Sequence, residues 1–235
     1  MLRNYILGDF KMRINEQGRS MIEMLGVLAI VGVLSVGGIA GYSKAMNKFK
    51  TNKVIDQVNM LATNIRTLYS SQRTYNGLNN YVAINTGAAP AEMYDQQAVA
   101  SATPPSSASV LTNAFSGHVQ ISPAGVDSDD DEMAFIIAID AIPSASCVSI
   151  VTTDWGGEAG SGLAAMKVAV PGGTGDDAVT VDSVVEAISD KNSSLTPAAD
   201  LAVQGDDQYG FPFSIINATT SCGRNQNAAI AWKFM

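Results

Sequence analysis

The sequence predicts an α+β chain: a long N-terminal helix, apolar all round in its first half and amphipathic in its second, followed by a head of strands and short helices. Three observations carry this. Met24 to Ser43 is a run of 20 residues without a charge, about the length a helix needs to cross the ~30 Å hydrocarbon core of a bilayer. Beyond it Val54, Val58, Leu61, Ile65 and Leu68 recur at alternating steps of four and three, the spacing of one helical face. From residue 118 onward, β-branched runs alternate with Gly- and Pro-containing turns, which is strand punctuation.

The chain opens on a polar leader in which Arg3, Lys11 and Arg13 oppose Asp9 and Glu16, ending at Gly18. An ordinary secretory signal is cut after its apolar stretch. Here a cut after Gly18 leaves the apolar segment on the mature chain, with a free amine on Arg19 and an acid, Glu23, at the head of the run. A carboxylate inside a membrane costs a few kcal/mol unless it is paired, so it marks a functional site by default. The partner created by cleavage is the Arg19 amine, and in a staggered stack of subunits Glu23 of an incoming chain meets the Arg19 amine of its neighbour. The alternative is a single-pass anchor with Glu23 at the headgroup boundary. Basic residues flank the run on both sides (Arg3, Lys11, Arg13, Arg19; Lys44, Lys48, Lys50, Lys53), so the positive-inside rule does not orient it.

The motif Gly18-Arg19-Ser20-Met21-Ile22-Glu23-Met24-Leu25-Gly26-Val27 resembles the class III leader of type IV pilins and type II secretion pseudopilins. The leader length and the layout of the distal half are similar to the type IVb branch. The likeness is strong over about residues 13 to 70 and architectural beyond. The family's mature chain usually begins with Phe or Met, where this one has Arg19. The resemblance implies a pilin-like roll, with the long helix packed on an antiparallel sheet and a C-terminal disulfide-bounded region. It also implies methylation of the new N-terminus, polymerisation of identical subunits, a prepilin peptidase, an inner-membrane platform with an assembly ATPase, and an outer-membrane secretin. The protein would sit in the bacterial inner membrane and then in an extracellular filament serving adhesion, aggregation, motility or conjugation. The domains are then the leader (1–18), the transmembrane and assembly half of the helix (19–43), its amphipathic half (44–73) and the head (74–235), with 147–222 bounded by the disulfide. The alternatives are a secretion pseudopilin or minor pilin, and an anchored exported binding module or enzyme.

With 235 residues there is room for one membrane helix and a head of about 160 residues, ample for a core. The formal charge is −8, and the acidic balance argues against sequence-independent nucleic-acid binding, which relies on Lys and Arg. Lys44, Lys48, Lys50, Lys53 and Arg66 cluster after the apolar run, available to acids of neighbouring subunits or to water. The two cysteines, Cys147 and Cys222, favour a disulfide in an exported domain over a metal site, which wants more ligands at short spacings; two free buried thiols are the alternative.

Taken in order, the helix is expected from Ser20 to about Arg73, since the first proline is Pro90, a rod of roughly 75 to 80 Å at ~1.5 Å per residue. The stripe serves an intramolecular core or a coiled coil. Gly26, Gly32, Gly37, Gly38 and Gly41 each cost about 1 kcal/mol against Ala yet let helices approach closely. Type IV pilins commonly carry a proline near the middle of this segment; this chain has none, and Gly32, Gly37 and Gly38 take its place as the weak point. Gly77 is the predicted helix terminator, and 78–115 a linker-like region with a turn-rich patch at Thr103-Pro104-Pro105-Ser106-Ser107.

Four strands are expected, from His118 to Ile121, Met133 to Asp140, Leu163 to Val170 and Ala228 to Phe234. Short helices are expected from Pro143 to about Thr153 and from Val181 to Ser189, the latter capped by Asp182 or Thr180. Gly156-Gly157 and Gly172-Gly173 read as turns. Trp155, Trp232, Tyr209, Phe211 and Phe213 read as core. A lone His118 on a strand, with no nucleophile elbow, makes a catalytic triad improbable, and no cofactor is read. Asp127-Ser128-Asp129-Asp130-Asp131-Glu132 offers oxygen ligands but lacks the Gly and distal Glu of an EF-hand, so a solvated loop or a contact to the basic stretch is favoured over a metal. Asn192-Ser193-Ser194 and Asn217-Ala218-Thr219 match a glycosylation pattern that carries little meaning in a bacterial chain.

Overall fold

The computed structural model describes residues 21–95, 111–126, 132–156, 162–170, 180–189, 195–206, 208–224 and 227–235. The order is α1 (Met21–Leu68), α2 (Asn80–Asn85), a 3₁₀ turn (Ala91–Met93), β1 (Leu111–Thr112), β2 (His118–Ala124) and β3 (Ala134–Pro143), then α3 (Ser144–Val151), β4 (Leu163–Ala169), α4 (Val181–Ser189), β5 (Leu201–Val203), α5 (Ile215–Ser221) and β6 (Asn227–Phe234). The chain divides into two compact units between Ala45 and Met46. The second half of α1 belongs with the head.

The sheet is antiparallel at every pairing, in the order β1-β2-β3-β6-β4-β5. β3 and β6 lie at its centre and are buried on both faces, which explains why β3 reads as a continuous apolar run rather than an alternation. One face carries large side chains, among them Val119, Ile121, Phe135, Ile137, Ile139, Met166, Ile230 and Trp232. They bury the stripe of α1: Val54, Val58, Leu61 and Ile65 are in this core. The stripe is thus an intramolecular core and not a coiled-coil seam. The opposite face is lined by Ala124, Ala134, Ala138, Ala165, Ala229 and Ala231, against which α4 packs Val181, Val184 and Ile188. Side chains without a γ-carbon let that helix lie close to the strands.

Several boundaries differ from expectation. α1 ends at Leu68 rather than near Arg73. There the Ser70 N–H and hydroxyl both turn back to the Thr67 carbonyl, competing with helical bonding as serine does, and the chain leaves so that Tyr75 can stack between Tyr69 and Phe135, with centroids 5.2 and 4.8 Å apart. Gly77 does not terminate α1; at φ +78° it forms the left-handed turn before α2.

Residues 78–95 are no linker: Leu78, Ala83, Ile84, Ala88, Ala89 and Met93 are all in the main core. Asn80 explains the docking of this segment. It is buried, donates Nδ2 to the Val119 carbonyl at 2.8 Å and accepts the Ile121 N–H at 2.8 Å, so its amide acts as one more rung beside β2. Thr103 to Ser107 lies outside the described residues. Among the described residues there are six strands instead of four; β1 and β5, at two and three residues, are too short to show an alternation. α5 was not anticipated either.

Cys147 in α3 and Cys222 at the end of α5 form a disulfide with Cα atoms 5.8 Å apart, both fully buried. It closes a loop with a sequence separation of 75 holding β4, α4, β5 and α5. On the chain-entropy model such a closure stabilises by about 4 kcal/mol. Reduction, or Cys147→Ser with Cys222→Ser, is expected to lower urea-unfolding stability by about that amount; an unchanged unfolding midpoint would contradict this.

Candidate assembly interface

Every residue from Met21 to Ala45 is exposed, including Leu25, Leu28, Ile30, Val31, Val33, Leu34, Val36 and Ile39. The helix there is long and apolar enough to cross a membrane by length and composition. Its one hydroxyl in mid-run, Ser35, returns its proton to the Val31 carbonyl at 2.7 Å, so it needs no outside partner. Glu23 lies in the first turn, where unpaired N–H groups and the positive end of the helix dipole favour a carboxylate. A helix beginning at Ser20, as the sequence predicts, also puts Glu23 in its first turn, which lowers the cost of an acid at the head of an apolar segment. Gly18 and Arg19, the expected cleavage pair, lie outside the described residues, as do 127–131 of the acidic cluster, Gly157, Gly172-Gly173 and Asn192-Ser193-Ser194.

The helix runs unbroken through Gly26, Gly32, Gly37, Gly38 and Gly41. A Cβ added at any of the five would meet no atom within 4 Å. Among the described residues nothing therefore requires these positions to be small.

The second half of α1 is fixed to the head by polar contacts as well as by its stripe. Thr51 donates to the Ser146 hydroxyl at 2.9 Å. Asn64 donates to the Ala88 carbonyl at 2.9 Å. Lys53 pairs with Glu92 at 2.9 Å, and Gln57 donates to the same carboxylate at 3.1 Å. The hydrogen bond from Lys53 holds the Glu92 carboxyl below its ordinary value, against the opposing pull of burial. Of the five basic residues, three are thus engaged inside the subunit: Lys53 with Glu92, Lys50 over the Phe115 ring at 5.6 Å, and Arg66 over the Phe234 ring at 5.1 Å. Lys44 and Lys48 are exposed. Sequence reasoning grouped all five because spacing along α1 does not reveal which acids and rings the head brings up to it.

The remaining candidates are structural. The His118 N–H donates to Asp140 Oδ1 at 2.6 Å and its Nδ1 stands 3.3 Å from Oδ2, tying β2 to the irregular register of β3 between Ile139 and Ile142. Gly117 is pressed on the same spot, since a Cβ would overlap the Asp140 carbonyl. Trp155, Trp232 and Phe213 are core, with the two indoles 5.0 Å apart; Tyr209 and Phe211 are half-buried. Among the described residues no group of three or more His, Cys, Asp or Glu is arranged to hold a metal.

The PilS N-terminal family matches residues 48–234 of the chain. Two curated relatives, each a major structural subunit of bundle-forming pilus, come from Escherichia coli O127:H6 (strain E2348/69 / EPEC) and Escherichia coli O111:H-. Each is 27% identical over 141 residues, 60% of this chain and 66% of the relative, so the match spans just under two thirds of the relatives' length. Among solved structures, TcpA, a type IV pilin from Vibrio cholerae El Tor biotype, overlays with a TM-score of 0.49 at 14% identity, covering 79% of this chain and 99% of that one. A type IV b pilin from Salmonella typhi gives 0.41 at 17% identity, covering 77% and 97%.

Where α1 ends, Tyr69, Tyr75, Phe135 and Phe234 form a continuous series of ring contacts. Burial pushes the Tyr69 and Tyr75 phenols up, opposed at Tyr75 by the Arg66 cation. A folded-state value above the unfolded one stabilises below the unfolded pKa, and that stability is lost as pH rises through the folded value. Head stability is therefore expected to fall steeply above about pH 10, and Tyr75→Phe to flatten that decline in urea melts; an identical alkaline slope in the variant would contradict it.

Proposed function

The chain belongs to the PilS family of type IVb pilins, and from that membership we propose that it is a structural subunit polymerising into a surface filament. The observation that carries the reading is the apolar half of α1, where every residue from Met21 to Ala45 is exposed among the described residues. Such a surface needs lipid around it or other copies of itself. Glycines whose Cβ positions stand empty suit close packing against a second helix.

In this reading a prepilin peptidase cuts between Gly18 and Arg19, and the subunit waits in the inner membrane until a platform and its ATPase draw it into the fibre, which leaves through an outer-membrane secretin. Its domains are the leader, the assembly half of the helix, and a head to which the amphipathic half is bound. Glu23 sets the register by pairing with the Arg19 amine of a neighbour, and methylation of that amine follows the family habit. Gly37-Gly38, with Gly32, supplies the point at which α1 loses helical bonding inside the fibre. The role is mechanical and adhesive; the head offers no constellation of catalytic groups among its described residues.

Glu23→Ala is expected to leave export and cleavage intact and to cut the yield of sheared fibres severalfold, with N-terminal sequencing of the unsubstituted polymer starting at Arg19; abundant fibres from the variant, or another first residue, would overturn the register role. Cryo-EM of the fibre is expected to show broken helical hydrogen bonds around Gly37-Gly38, and an unbroken ladder from Ile30 to Tyr42 would sink the weak-point role.

A further inference from the structure

α5 carries two adjacent isoleucines that the head does not cover: Ile215 and Ile216 are 72% and 77% exposed, above every other large apolar side chain described outside α1. They stand in a stretch, Gln208 to Gly223, that contains no Asp, Glu, Lys, Arg or His in a chain of formal charge −8. The stretch is held rigidly. Cys222 is bonded to Cys147, Ser214 caps α5 by accepting the Asn217 N–H at 3.1 Å, and Phe213 and Ala218 are buried. The hydroxyls of Ser221 and Ser144 donate to the Ala199 and Gly223 carbonyls at 2.7 and 2.6 Å. A patch already fixed in place loses little freedom on docking.

Phe213, Ala218 and Cys222 lie in the core shared with α1, whereas α4 covers the opposite face of the sheet. Two acidic heads approach each other most cheaply where neither sign of charge is present. A lipid surface would instead be met by a cluster of flanking Lys and Arg, whereas this stretch is flanked by Arg224 on one side and by Asp206 and Asp207 on the other. A helical fibre is built from heterologous contacts, one surface against a different one. We propose that Ile215 and Ile216 form a docking surface for a neighbouring copy of this chain within the same fibre, separate from the bundle of α1 helices.

The inference rests on the filament reading. The test uses the full chain in assembling cells, with Ile216→benzoylphenylalanine irradiated in place, and the double variant Ile215→Ser with Ile216→Ser. Expected are subunit–subunit crosslinks found only in assembled fibres, and in the double variant a fall in sheared-fibre yield of about tenfold with the Cys147–Cys222 bond formed and the melting of the head unchanged. Crosslinks to lipid or to another protein, crosslinks arising only after two separately tagged fibre populations are mixed, or normal fibre yield from the double variant would each overturn the contact and leave the filament reading standing. Absence of fibres from the unsubstituted chain overturns the filament reading and the contact with it.

Discussion

The head depends on covering one side of one helix. Val54, Val58, Leu61 and Ile65 must be taken out of water, and a single helix cannot do this for itself. The large side chains on one face of the sheet supply most of the cover, and the segment after α1 folds back to complete it with Leu78, Ile84 and Met93. The same constraint accounts for the other face. Once β3 and β6 are central and covered by α1, their reverse sides also need burial, and the alanines there admit α4 at close range.

Polar groups settle where the pieces stop. Asn80 spends its amide on the Val119 carbonyl and the Ile121 N–H, Glu92 gathers Lys53 and Gln57, and Asp140 receives the His118 N–H. Asn80 and Asp140 are buried and would be costly if left unmatched, so each fixes a register more sharply than apolar contact alone; Glu92 is exposed, and its ion pair adds less. Arg66 differs from them: burial lowers its basicity, but the guanidinium stays charged and lies over the Phe234 ring as a cation–π partner.

What the sequence made legible follows from what repeats. The apolar run, the stripe of α1, the strands β2, β3, β4 and β6 and the helix α4 are periodic or sharply bounded, and they were readable. So was the pairing of the two cysteines, because the chain has no others. The misses are short or depend on distant partners. β1 and β5 are below the length at which alternation can be seen, α5 begins with exposed isoleucines that defeat an amphipathic reading, and the value of Asn80 and Glu92 exists only after β2 and α1 have come beside them. The fate of Gly77 shows the same limit: a glycine marks a left-handed turn, but not which element the turn ends.

The strand order has a bearing on how such a chain is delivered. β6 is last in sequence yet lies between β3 and β4, so the sheet stays in two separate pieces until residues 227–234 arrive. A head threaded across a membrane from its N-terminal end would therefore remain incomplete, and open to chaperones, until nearly all of it had passed through. Setting the final strand in the middle of the sheet makes cooperative closure the last event of its passage.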